Sequence, residues 1–204
     1  MDLRRQILDT ARSLLIGQGY SALSLRKIAA RIGCSATAIY LYFDNRDALV
    51  HSLIDEGFDM LYQRVYAASV AERSVDDHGI GRLRRIAWEY IAFGLENPEY
   101  YEVMFMLNPK DLARYPTEKY RRASRSMEPF IEELARGIAR GELRRVEPRR
   151  FASIVWASMH GGVAIVLARR LDVRTNRQQF LFDLLENSLK GLIPPREPIA
   201  HAGL

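Results

Sequence analysis

The sequence predicts an all-α fold of about nine helices. Apolar residues recur at spacings of three and four along most of the 204 residues. Glycine, proline or asparagine punctuates the successive runs. No stretch alternates apolar and polar residues as a half-buried strand does. With 48% apolar and 27% charged residues, the chain is neither disordered, collagen-like nor a disulfide-stapled miniprotein. A chain of this size buries roughly 70% of its surface on folding, enough for a core without staples. The single cysteine, Cys34, allows no internal disulfide and no Cys-x-x-Cys site, as expected in a reducing cytoplasm. The opening MDLRRQ leads into an amphipathic stretch rather than an apolar signal core, so export is not expected.

Residues 3–16 place Leu3, Ile7, Ala11, Leu14 and Leu15 on one helical stripe, which Gly17 and Gly19 should end. Ser24 is positioned to cap a short second helix with Leu25, Ile28, Ala29 and Ile32 on its inner face, and Gly33 breaks it. Ser35 should cap a third helix, through Phe43. Asn45 opens a longer fourth (Leu49, Leu53, Ile54, Met60, Leu61, Val65), with Asp47 in the first turn where the helix dipole favours an anion. Ser69 to Gly81 is polar and reads as a loop. Leu83, Ile86, Ala87, Tyr90, Ile91 and Gly94 then repeat at helical spacing up to Asn97-Pro98. A short helix carries Tyr100, Tyr101, Met104 and Phe105, and Pro109 and Pro116 bracket the next loop. Residues 117–140 read as one helix (Met127, Phe130, Ile131, Leu134, Ile138) closed by Gly141. Glu147-Pro148 begins another, since proline suits a first helical position. The last helix, about 177–190, has Asn176 as its cap and Gly191 as its stop, before Pro194-Pro195.

Residues 151–168 contain no Lys, Arg, Asp or Glu. At 1.5 Å per residue they span about 27 Å, the short edge of a bilayer crossing. Ser153, Ser158, His160, Gly161 and Gly162 inside the run, and the lack of a second such segment, favour a core or subunit-interface helix. The net charge of +5 permits a nucleic-acid partner without requiring one. Residues 119–150 hold ten basic and five acidic residues, so charge alone does not locate a DNA surface. The interleaved Glu128, Glu132 and Glu133 suit a solvated helix face better than a second nucleic-acid site.

Two short helices joined by a tight turn over residues 24–43 form a helix-turn-helix pattern. A short helix that opens on small residues fits a major groove about 12 Å wide, which places Ser35, Ala36 and Thr37 at base edges. Tyr40 and Tyr42 carry hydroxyls suited to phosphates, as does the guanidinium of Arg46 at the start of the fourth helix. The bland alternative is a generic helical hairpin with Tyr40 and Phe43 in its core. Spacing alone leaves both open.

The run from Arg4 to Leu53 resembles the N-terminal DNA-binding domain of the tetracycline-repressor (TetR) family. Ile7, Ala11, Leu14, Gly19-Tyr20, Ser24, Ile28-Ala29, Gly33-Cys34-Ser35, Ile39-Tyr40, Tyr42-Phe43, Arg46 and Leu49 carry the resemblance. It implies that Ser24 caps the second helix and reaches a phosphate, and that Tyr40, Tyr42 and Arg46 contact phosphates. With Arg26 these residues complete the candidate DNA-binding set. Arg46 stands where the family usually has lysine, Cys34 where a small aliphatic is usual, and Thr37-Ala38 where Gly-Thr is common. Downstream, Trp156-Ala-Ser-Met-His160-Gly161 and Asn97-Pro98-Glu99-Tyr100-Tyr101 resemble a C-terminal class named for a Trp-His-Gly signature, which implies a helical ligand-binding and dimerisation domain.

The expected organisation is therefore a DNA-binding domain at 1–50, an effector-binding and dimerisation domain at 51–193, and a tail at 194–204. Candidate effector contacts are Trp88, Phe93, Tyr101, Met104, Phe105, Trp156 and His160, although ordinary core accounts for the same residues. Trp156 and His160, four apart, share a helix face. Ser153, Ala157, Gly161 and Ala164, with Phe180 and Leu184, are the candidate dimer interface, and packing within one chain is the alternative. Cys34 reads as a small apolar residue rather than a redox switch. For an enzyme the raw material is Asp76-Asp77 and the scattered His51, His78, His160 and His201, without metal-ligand spacing, phosphate loop or nucleophile signature. No catalytic or metal-binding residue and no cofactor is expected. The expected function is a cytoplasmic homodimeric repressor, not attached to a membrane, that binds a palindromic operator in double-stranded DNA and is released by a small, partly apolar effector.

Overall fold

The computed structural model describes residues 2–71, 79–107 and 117–193. Among them are ten α-helices and three 3-10 turns, and no strand. The helices are α1 (Leu3–Gln18), α2 (Leu25–Ile32), α3 (Ala36–Tyr40), α4 (Arg46–Val70), α5 (Ile80–Glu96), α6 (Pro98–Phe105), α7 (Thr117–Ser124), α8 (Glu128–Ala139), α9 (Pro148–Leu167) and α10 (Arg177–Leu189). The 3-10 turns are Tyr20–Ala22, Arg125–Met127 and Lys190–Leu192.

Side-chain caps fix most helix starts. Ser24 Oγ accepts from the Lys27 N–H at 3.2 Å, Ser35 Oγ from Ala38 at 3.1 Å, Asn45 Oδ1 from Ala48 at 2.8 Å and Asn176 Oδ1 from Gln179 at 3.0 Å. The Glu147 carboxylate accepts from both Arg149 (3.0 Å) and Arg150 (2.6 Å) ahead of Pro148. Each cap satisfies an otherwise orphaned donor and is worth about 1 kcal/mol.

Helix ends depart from expectation in five places. Gly17 stays within α1, and Gly19, at φ 77°, ends it, since only the second glycine needs a conformation closed to other residues. α3 closes at Tyr40 rather than Phe43, because the N–H groups of Tyr42 and Phe43 both turn back to the Ile39 carbonyl. α4 continues past Ser69, whose hydroxyl donates to the Tyr66 carbonyl inside the helix. The helix expected over 117–140 divides at Arg125–Met127, and α8 begins at Glu128 with Pro129 in its first turn. Proline lacks an N–H and clashes with the preceding turn, so it is tolerated there but not mid-helix. Gly191 sits inside the 3-10 turn after α10 rather than stopping it. Most of the loop expected over 69–81, the Pro109–Pro116 loop and the 194–204 tail lie outside the described residues, as do Asp76, Asp77, His78 and His201.

The chain forms two compact units, Met1–Arg64 with Ala92–Ser126, and Val65–Ile91 with Met127–Leu204. In the first, Ile7, Leu14, Leu23, Ile28, Ile39, Leu49 and Leu53 share one apolar cluster with Val103 of α6. α6 is held to α1 by Arg12, which donates to the Tyr100 hydroxyl at 2.6 Å and to Glu99 at 2.9 Å. Arg5 of α1 pairs with Asp9 at 2.7 Å and with Glu56 of α4. In the second unit, α9 and α10 pack through Val155, Met159 and Val163 against Leu181, Leu185 and Leu189, all buried. Gly162 permits that approach, since a Cβ there would lie 2.5 Å from Leu184 Cδ2 and 3.1 Å from Leu181 Cδ2. Glu133, fully buried on α8, is bound at 3.0 Å by both Arg136 and Arg140. Just past α9, whose C-cap is Ala168, Arg169 stands at φ 55°, with the Arg170 N–H returning to the Ile165 carbonyl at 3.0 Å.

Candidate nucleic-acid interface and effector site

Ile39 and Phe43 are buried and fasten α3 to the first unit. That leaves Ser35 and Thr37 exposed at the helix start and Tyr40 and Tyr42 at its end, 52% and 44% exposed. Tyr40 is therefore not a core residue, as the plain hairpin reading requires. Ala36 is half-buried, and Ser24 and Arg26 are exposed at the start of α2. Ser24 and Ser35 spend an acceptor lone pair on their caps, and each hydroxyl hydrogen remains available as a donor. Cys34 is half-buried and packs against the apolar cluster.

Arg46 has a contact that spacing did not reveal. Its guanidinium lies 4.0 Å over the Tyr20 ring and donates to the Tyr20 carbonyl at 3.4 Å, while the Tyr20 hydroxyl donates to Asp47. The cation is thus held at the N-terminus of α4 by stacking, a geometry arginine makes better than lysine. The sequence signal was the departure itself, arginine where lysine is usual.

In the second unit, Trp156 and His160 stack with ring centres 5.1 Å apart and planes 20° from parallel. The Tyr90 hydroxyl and His160 Nδ1 share a hydrogen bond of 3.1 Å, its direction set by the imidazole tautomer. Half-burial lowers the His160 pKa, because desolvation disfavours the imidazolium. Spacing places Tyr90 in an apolar stripe, and its hydroxyl is the one sequence signal for this contact. Trp88, also of this unit, meets Phe182 edge to face at 6.5 Å. Phe93, Tyr101, Met104 and Phe105 belong to the first unit, where Phe93 and Tyr101 are fully buried and Phe105 packs against both Phe58 and Tyr101. Among the described residues no His, Cys, Asp or Glu group could hold a metal.

Of the expected interface residues, Ser153 and Ala157 are exposed, while Gly161, Ala164, Phe180 and Leu184 are half-buried. Ile154, Ile165 and Phe182, absent from the expected set, are also exposed. α9 is long and apolar enough to cross a membrane, with a mean hydropathy of 1.4, yet only 28% of that stretch is buried.

Residues 7–53 match the family described as bacterial regulatory proteins, tetR family, and residues 83–188 match the tetracyclin repressor-like C-terminal domain. The chain belongs to the TetR family. TetR proteins are DNA-binding transcriptional regulators rather than enzymes. Among curated relatives, the HTH-type transcriptional regulator Rv1816 of Mycobacterium tuberculosis is 27% identical over 145 residues, covering 70% of this chain. The chain spans about 60% of the length of that relative. A protein of unknown function from Rhodococcus sp. RHA1 shares the fold with a TM-score of 0.80 at 25% identity, covering 95% of this chain and 97% of its own. SmeT, the repressor of the Stenotrophomonas maltophilia multidrug efflux pump SmeDEF, has a TM-score of 0.70 at 18% identity, covering 95% of this chain and 92% of its own. At that identity the likeness to SmeT is one of TetR fold.

Proposed function

We propose that this TetR protein is a cytoplasmic homodimeric repressor that reads a palindromic operator and is released by a small, partly apolar effector. The observation that carries the DNA reading is the α3 surface, where Ile39 is buried while Thr37, Tyr40 and Tyr42 stand out. In this reading Ser35, Ala36 and Thr37 meet base edges, and Ser24, Arg26, Tyr40, Tyr42 and Arg46 meet phosphates. The DNA-binding function is assigned to residues 1–50 and the effector and dimer functions to 51–193.

The exposed side of α9 supports dimerisation. Ser153, Ala157, Gly161 and Ile165 follow one another at intervals of four. A groove of about 320 Å³ lies on α10, where Phe180 and Leu184 line it together with Gln179, Asp183 and Asn187. An apolar face so little buried calls for a cover, and a twofold partner supplies one in place of a membrane. A dimer sets two reading helices about 34–36 Å apart, matching successive major grooves. Trp156 and His160 offer the effector an aromatic surface and a neutral imidazole. Near-complete release requires that the effector prefer the DNA-incompetent state by about 5.5 kcal/mol. Repression is the sense carried by SmeT and is extended here to this chain.

The test is selection of bound duplexes from a random pool at fixed salt. An inverted repeat is expected. Folded dimeric protein that enriches no sequence would overturn the operator reading.

A further inference from the structure

Leu41 is 80% exposed, more so than the tyrosine on either side of it. It caps the C-terminus of α3 with helical backbone angles, φ −69° and ψ −19°, so it continues the geometry of the helix. Residues four apart lie on one helix face, which sets Leu41 a turn beyond Thr37. Thr37 is exposed, and Ile39 on the other side is fully buried. The face that carries Thr37 toward base edges therefore ends in a leucine. A leucine has neither donor nor acceptor. Among the groups that a base pair displays in the major groove, the apolar one is the C5-methyl of thymine.

We propose that Leu41 is a specificity residue that reads a thymine methyl group in each half-site. The proposal rests on the DNA-binding reading above and adds to it a base identity. Burial of the leucine against that methyl is its energetic contribution, and the flanking Tyr40 and Tyr42, on phosphates, fix its distance from the groove floor.

The test uses the full chain and the duplex enriched from the random pool. Each thymine in turn is replaced by deoxyuridine, which keeps every hydrogen-bonding group and loses the methyl alone. At one thymine per half-site the unaltered protein should lose about fourfold in affinity, the worth of one methyl removed from water. Leu41→Ala should bind the thymine duplex more weakly and be indifferent to the same replacement, and Leu41→Met should keep the discrimination. Because Leu41 is exposed, both variants should unfold at the temperature of the parent. A preferred duplex on which no replacement matters, or on which Leu41→Ala retains the full penalty, overturns the assignment alone. A pool that enriches nothing overturns the DNA-binding reading and this assignment with it.

Discussion

Half-burial of the His160 imidazole beside Trp156 and Tyr90 lowers its pKa below the ordinary histidine value. As pH falls through about 6.5, the unfolded chain takes up a proton that the folded ring still refuses. The contribution is thus complete above that pH, is lost as pH drops below it, and levels off once the folded ring protonates too. Urea unfolding between about pH 7 and pH 5.5 should show a loss of stability that is smaller in His160→Gln. At the proposed phosphate contacts, Tyr40→Phe should leave stability unchanged and weaken operator binding about tenfold, the worth of a hydrogen bond to a charged group. Arg46→Ala should weaken binding to all sequences alike and lower the salt slope by about 1 per subunit in a titration of affinity against salt. The residue scale was legible where chemistry is local. Ser24, Ser35, Asn45 and Asn176 each cap the helix that follows, within three residues in sequence. The stacking of Arg46 on Tyr20 and the bond between Tyr90 and His160 join residues 26 and 70 apart, and no spacing rule reaches that far.

Adjacent glycines in α9 give the element scale its sharpest contrast. A Cβ on Gly162 would meet Leu184 and Leu181, whereas one on Gly161 would meet nothing within 4 Å. Gly162→Ala should therefore destabilise the chain by about 1–3 kcal/mol through overpacking. Gly161→Ala should stabilise the isolated chain by up to about 1 kcal/mol through helix propensity, yet raise the dimer dissociation constant, as read by thermal unfolding and sedimentation side by side. At the end of the same helix, Arg169 holds a left-handed conformation that glycine adopts without strain. Arg169→Gly should raise stability by about 0.5–1 kcal/mol in denaturant titration. Helix existence was readable from apolar spacing for nearly every element. The break before α8 was not, because Met127 in the 3-10 turn stands at helical spacing from Phe130 and Ile131 of α8, and only Pro129 marks the interruption.

For the whole molecule, the proposed dimer places the α9 surface around Ala157 at its interface. Ala157→Arg should give a monomer by sedimentation that retains its helical spectrum and no longer distinguishes an inverted repeat from a single half-site. The sequence showed that residues 151–168 carry no charge, but not how little of α9 the chain itself covers, since burial depends on which helices meet it. Nor did it show that α6 joins the first unit, because the contact of Arg12 with Tyr100 spans 88 residues. That contact bears on the order in which the protein is made. Val103 completes the apolar cluster built by α1 to α4, so the reading unit leaves the ribosome in two instalments separated by residues 65–91. From Arg64 to Val103, elongation takes about 2–8 s at ordinary rates. For that interval the apolar surface reserved for Val103 is uncovered on the nascent chain. A ribosome stalled short of Val103 should carry a helix-turn-helix more open to protease than one stalled well beyond it.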